Sequence, residues 1–337
     1  MTVRQFYVIS CFVGPLLILF LSWLWPPVLW LFVLVVPYIL IGIYDITQKK
    51  RTVLRIYPVI GHIRYLFEYI RPEIQQYFVE TDLNGTPIPR EFRSLVYQRA
   101  KKQTDTRPFG TIIDTYKNGY EWINHAMVPL HLEPQALRQD IGEIHCSKPY
   151  SASPLNISAM SYGALSKNAV LALNRGASLG SFFQNTGEGG LTDYHRKYGG
   201  DIVWQIGTGY FGCRNDLGQF NPELFAQKAC EDQVKMIEIK ISQGAKPGHG
   251  GMLPGAKVSE EVALIRHVEI GKDVISPPYH SAFSSPVELM NFIVLLRELS
   301  GGKPVGFKLC LGKKSEFLAI CKAMLETGIT PDFITVD

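Results

Sequence analysis

The sequence predicts an α/β protein: a parallel sheet covered by helices, preceded by a transmembrane helical hairpin. Three observations lead there. From about residue 154, strand-like and helix-like segments alternate, the order of βαβ units. Ser161, Glu188 and Lys246 fall just after strand C-termini, where both (β/α)8 barrels and doubly wound sheets keep their functional residues. Residues 6–45 carry no charge before Asp45. About five core strands can be counted where a barrel needs eight. The pattern alone therefore leaves two architectures open, an incomplete barrel and an open sheet.

The elements follow in chain order. The apolar run 6–45 is about twice the length of one membrane helix, and Pro26–Pro27 break it near the middle. Two spans joined by a tight Trp-Pro-Pro turn fit it, with Trp23, Trp25 and Trp30 at the level of an aromatic belt. It has no short apolar core followed by a small-residue cleavage site, the pattern of a signal peptide. Arg4 precedes the run and Lys49, Lys50 and Arg51 follow it, so the positive-inside tendency places both ends in the cytoplasm. The expectation is an inner-membrane protein whose main domain faces the cytoplasm.

Residues 51–150 read as a mostly helical lead-in. IRPEIQQYFVE and REFRSLVYQRAKKQ have helical apolar spacing, while DLNGTPIP and TDTRPFG read as turns. His125, His131 and His145 are spread out and read as ordinary histidines.

In residues 151–337 the expected strands are PLNISAM, FFQNTGE, DIVWQIG, VKMIEIKIS, PVGFKLCLG and PDFITVD. Between them lie helices opened by Ser166, by a proline in NPELF, and by Ser259 with Glu260 and Glu261 in the first turn. Two longer helices, SPVELMNFIVLLRELSGG and KSEFLAICKAMLETG, complete the pattern.

Composition removes other classes. The 337 residues carry a net charge of +4, with no basic stripe interleaved with aromatics, so nucleic acid is not an expected partner. The six cysteines form no CxxC pair, which signals neither a zinc site nor a disulfide framework, and no metal ligands are assigned.

Lys240 and Lys308 lie inside apolar strands, which is costly unless something anionic receives each. That anion is either a bound ligand or a carboxylate of the sheet. The Gly/Pro-rich loop after Lys240 carries Lys246 and His249; it is either a plain surface loop or one built to lie against a flat anionic ligand.

Four motifs in order, MSYGALS (160–166), NTGEGG (185–190), IEIKISQGAKPGHGGMLPG (237–255) and VISPP (274–278), resemble the FMN-binding synthase domain of the glutamate synthase large subunit. They are similar above all to its short, membrane-anchored relatives. The resemblance implies a (β/α)8 TIM barrel, incomplete in this chain, and FMN as cofactor. In the family the barrel continues into a phosphate-binding region and a cysteine cluster for a 3Fe–4S centre, both beyond Asp337. Residues 1–337 alone are therefore expected to hold FMN poorly.

By the same resemblance, Met160 and Ser161 back the flavin. Asn185, Thr186 and Gln205 meet its polar edge, and Lys240 and Lys308 its negative charge. The implied reaction joins 2-oxoglutarate and ammonia to 2-iminoglutarate, which takes hydride from reduced FMN to give glutamate. Glu188, Gln243 and Lys246 are the expected catalytic groups. Arg266 and His249 are the expected substrate ligands, Arg266 through a bidentate pair with a carboxylate. Against these stand plainer readings: Glu188 as a solvated turn residue, Arg266 as a helix-surface charge, His249 as a loop residue. His249 and Met252 stand where the long synthases carry Glu and Gln. The substrate is thus 2-oxoglutarate or a similar 2-oxo acid, with another 2-oxo or 2-hydroxy acid, or a non-catalytic barrel, as alternatives. Implied partners are free ammonia or a separate glutaminase, and an electron-donor protein or an NAD(P)H-oxidising partner.

Overall fold

The computed structural model describes residues 2–103, 111, 113–130, 133, 137–244 and 250–337. The expected turn TDTRPFG, His131, Lys246 and His249 lie outside them. The chain divides into two compact units, Met1–His125 and Ala126–Asp337.

In the first unit, α1 (Val3–Ser22) starts at a Thr2–Gln5 capping box that satisfies its orphan N–H groups. A 3-10 turn, Pro26–Leu31, with proline at its start, leads into α2 (Phe32–Thr47). The segments Val3–Ser22 and Pro26–Thr47 are each long and apolar enough to cross a membrane, and most of their side chains face outward. Gly42 leaves room for the Tyr7 ring, whose hydroxyl donates to the Ile39 carbonyl at 2.6 Å.

Asp45, the first charge after the apolar run, is fully buried. It accepts the Val59 N–H at 2.9 Å and meets His62 Nε2 at 2.9 Å. This joins the end of α2 to the turn between α3 (Thr52–Ile56) and α4 (Gly61–Ile74). A π-turn, Gln75–Val79, extends α4, and α5 (Arg90–Ala100) follows.

The second unit opens with an antiparallel pair, β1 (Gln139–Ile141) and β2 (Tyr150–Ala152), where the sequence shows no strand signal. Its main sheet is all parallel: β3 (Gln184–Asn185), β4 (Ile202–Ile206), β5 (Val234–Lys240), β8 (Val305–Leu309) and β9 (Ile334–Val336), in that spatial order. The predicted strand PLNISAM is reduced to one bridge, Ile157 to Gln184. Pro154 has no N–H to donate. The Asn156 side chain takes over the local bonding, donating to the Ser153 carbonyl and accepting from Phe183 N–H.

Helices α6 (Lys167–Gly180), α8 (Pro222–Ala229), α10 (Pro286–Leu299) and α11 (Lys314–Thr327) carry the crossovers, with a short α7 (Asp193–Arg196) before β4. Side chains alternate across a strand. On one face Ile202, Trp204, Ile237, Ile239, Val305 and Phe307 pack with the helices into the main core. On the other, Val203, Met236 and Phe333 meet Tyr150, Ala152 and Ile141 of β1–β2, a cluster without a helical member. A doubly wound sheet carries helices on both faces. Five parallel strands with helices on one face fit part of a (β/α)8 barrel, the inner face closed below by β1–β2.

The sequence reading makes α9 (Glu260–Arg266) one more crossover helix; the structure does not. Between β5 and α10 the chain makes an excursion in which α9 sits between two short paired strands, β6 (Met252–Leu253) and β7 (Val274–Ile275). Its apolar face packs on Tyr162, Val170 and Phe211 in a separate small core.

Candidate active site at the strand C-termini

On β5 the side chains of 236, 238 and 240 share the inner face. The lowest, Met236, is apolar; Glu238 and Lys240 above it are charged. Lys240 and Lys308 are register partners on adjacent strands. Two ammonium groups side by side need counter-charge. Lys240 Nζ meets Glu188 Oε2 at 3.2 Å and donates to Gln243 Oε1 at 2.7 Å. Lys308 Nζ meets Asp337 Oδ1 at 2.8 Å. That ion pair, foremost, holds the Asp337 carboxyl below its ordinary range. The sequence reading left both lysines between a ligand and sheet carboxylates; here each has a carboxylate, and Lys240 and Lys308 keep side-chain exposures of 13% and 11%.

Glu188 fits where it does because of two glycines. A Cβ on Gly207 would lie 2.8 Å from Glu188 Cβ, and one on Gly251 only 1.5 Å from Glu188 Oε1. The Gly-rich stretch thus clears space for a carboxylate as much as for a ligand. Gly251→Ala is expected to displace Glu188 and open its pair with Lys240. The full chain should keep its thermal midpoint within a few degrees while losing about tenfold or more in ligand affinity. Unchanged affinity would show that the contact has no bearing on the site.

Glu238 is the residue that the sequence reading missed. The residue is 2% exposed. Oε1 accepts from Asn185 Nδ2 at 2.8 Å and from Gln205 Nε2 at 2.6 Å, and Oε2 from Thr335 Oγ1 at 2.6 Å. Asn185 and Gln205, expected to meet a cofactor edge, are brought together by this acid. The signal was available: an acid two residues before an in-strand lysine must share its face.

Thr186 is buried, accepting the Gln205 N–H at 3.1 Å, and works within the backbone. Met160 and Ser161 are half-buried and lie against Gly187, whose φ of 63° and lack of a Cβ allow a close approach to the Ser161 nitrogen. Arg266 is not a surface charge. It is 4% exposed, stacks 5.0 Å from the Phe211 ring centroid and donates to the Tyr162 carbonyl at 2.9 Å. Burial lowers its affinity for the proton and the nearby Glu188 charge opposes that. Its Nε is buried without a partner among the described residues. Among the described residues no three His, Cys, Asp or Glu side chains are grouped to hold a metal.

Residues 96–337 match a family model described as a conserved region in glutamate synthase. The chain belongs to the glutamate synthase family. It is 40% identical over 338 residues to the glutamate synthase large subunit-like protein YerD of Bacillus subtilis, an alignment covering 88% of this chain and 64% of that protein. It is 38% identical over 186 residues to an archaeal-type glutamate synthase (NADPH) of Thermotoga neapolitana, covering 55% of this chain and 33% of that one. A glutamate synthase large subunit-like protein of Rhizobium meliloti is 36% identical over 156 residues, with 46% and 32% covered. The chain thus spans less than two thirds of each of these relatives.

In this glutamate synthase family member a second layer supports the Lys240 strand end. His280 Nε2 donates to the Lys240 carbonyl at 2.8 Å, which leaves Nδ1 to accept from the Tyr210 hydroxyl at 2.9 Å. Burial favours the neutral ring that this arrangement uses. Burial pushes His280 down to about 4, the bond to the Lys240 carbonyl pulling the other way. His195 is also pushed to about 4, by burial and then by Arg196. In the unfolded chain each ring binds its proton near 6.5, so the unfolded state takes up more protons between about pH 6.5 and pH 4. Stability is full above that window and falls as pH drops through it. Each histidine accounts for about 2 kcal/mol by about pH 5. Thermal midpoints of the full chain measured down from neutral pH should show the loss, and His280→Phe should shrink it. A flat profile over this window would refute the assignment.

Proposed function

We propose that this chain forms the anchored, FMN-binding part of an oxidoreductase that reductively aminates a 2-oxo acid, with 2-oxoglutarate as the first candidate. The observation that carries the reading is the row at the strand C-termini: two adjacent, nearly buried ammonium groups above the Glu238 cluster. The row suits FMN. An ammonium has three N–H donors, and Lys308 uses one of them on Asp337, leaving donors for a ring edge that gains negative charge on reduction. Asn185 and Gln205 stand beside it, with Met160 and Ser161 across Gly187. FMN, when bound, supplies the hydride.

The chain's own residues supply the rest. Glu188 and Lys240 form a carboxylate–ammonium pair able to hold and pass a proton. Gln243 orients Lys240. Arg266, close under the loops, strengthens the field felt by a substrate carboxylate without leaving its place beneath Tyr162. Lys246 and His249 complete the assignment as a substrate cation and a proton donor. Ammonia comes free or from a separate glutaminase, and electrons from a donor protein or an NAD(P)H-oxidising partner. A second reading is another 2-oxo or 2-hydroxy acid. It is favoured by Met252, which follows Gly251 and is 54% exposed, offering no hydrogen bond.

The deciding experiment uses the chain in detergent with FMN in large excess, because residues 1–337 alone are expected to hold it weakly, and reduces it without oxygen. Reoxidation should require 2-oxoglutarate and ammonium together, and Lys246→Ala should slow it by about tenfold to a hundredfold. Turnover of other acids without ammonium would favour the second reading. A protein that binds no FMN even in that excess would end both.

The two apolar helices are proposed as retained spans, with the chain after Arg51 in the cytoplasm of the cell. A reporter active only outside the cytoplasm, fused after residue 60, should stay silent. Strong reporter activity would reverse this topology.

A further inference from the structure

We propose that Glu238 sets the hydrogen-bonding polarity of the site wall, making Gln205 an obligate acceptor that selects a ligand edge bearing an N–H. The inference rests on the flavin reading above and adds to it a residue that determines specificity.

A carboxamide offers two donors at one end and an acceptor at the other, and it is free to turn. An ionised carboxylate only accepts. Asn185 and Gln205 both face Glu238 Oε1, at 2.8 and 2.6 Å, so both must turn their NH2 groups to it. Their oxygens are thereby fixed away from the acid. Asn185 Oδ1 is taken by the Gly187 N–H at 3.0 Å. Gln205 Oε1 has no partner among the described residues, yet it is not among the fully enclosed unpaired atoms. Gln205 itself is 2% exposed, so the small area it shows includes an acceptor held in one orientation. The Thr335 hydroxyl on Oε2 fixes the carboxylate from its other side.

The ammonium of Lys240 stands two residues further along the same strand face, about 7 Å by strand rise. The wall therefore offers cationic donors at its rim and one fixed acceptor below. Its complement is a flat ring whose edge carries a carbonyl next to an N–H, the imide pattern of a flavin. A purely aromatic or ether-edged ring would leave Gln205 Oε1 unpaired, which costs affinity.

The test compares FMN with its N3-methyl analogue, which keeps both carbonyls and loses the N–H. Both are titrated into the full chain in detergent, followed by flavin fluorescence and the visible spectrum. Wild type should prefer FMN by about tenfold or more, as sites built to receive an N–H do. In Glu238→Gln the amides regain freedom to turn, and the preference should shrink towards unity. Gln205→Met removes the acceptor and should do the same with Glu238 intact. Because the readout is a ratio within one variant, a general weakening cancels. Equal binding of both flavins by wild type, or an unchanged ratio in both variants, would overturn the inference while leaving FMN binding intact. Because weak binding is expected of residues 1–337, the titration runs to large flavin excess; binding of neither flavin even there overturns the flavin reading, and this inference with it.

Discussion

Lys240→Met is expected to lower the rate of flavin reoxidation by 2-oxo acid and ammonium by about a hundredfold or more. The side chain connects three parts of the site. Its ammonium meets Glu188, donates to Gln243, and stands in register beside Lys308. Methionine has similar length but no charge. Glu188, at 17% exposure, would be left without its cation, and Gln243 without its donor. Both would turn to solvent, and the row would lose half of its positive charge. Stability should move little in comparison, because the site lies at the rim of the sheet and not in the helix-covered core. Anaerobic stopped-flow on the FMN-loaded full chain measures the rate, and a thermal scan the stability. A rate within a few-fold of wild type would remove Lys240 from the chemistry.

Glu238→Leu is expected to destabilise the second unit by about 3–5 kcal/mol. Leucine fills much of the volume, so the loss is electrostatic. Two amide groups and a hydroxyl lose their shared acceptor inside the sheet. For a unit of this size the thermal midpoint should fall by about 6–20 °C. Glu238→Gln keeps one acceptor oxygen and should cost less. A leucine variant as stable as wild type would mean that Asn185, Gln205 and Thr335 find other partners at no cost.

How much of this was legible varies by element. The helix starts were plain, since Ser166 and Ser259 cap α6 and α9 by accepting the N–H three residues on. Strands β4, β5 and β8 were equally plain from their apolar runs. The pairs β1–β2 and β6–β7 were not, because two or three residues carry no periodicity to read. For the same reason α9 passed for a crossover, although its partners lie outside the sheet core. At the site, the in-strand lysines and Glu188 stood out as charges in unlikely places, and the structure brings Glu188, Lys240 and Gln243 together. Arg266 was legible as a cation but not as a buried one, since burial there comes from the excursion closing over Tyr162 and Phe211. Glu238 was legible only through alternation along β5, which places it beneath Lys240.

Asp45 carries a mechanical consequence. Val59 is a β-branched residue held at φ 63°, a backbone state that costs about 1–3 kcal/mol and persists only where its surroundings hold it. The Asp45 carboxylate imposes it by taking the Val59 N–H, and it grips His62 with the same group. The connection between α2 and α4 is therefore an elbow and not a tether. A rotation of α2 about its own axis would swing α4 as a crank swings its arm.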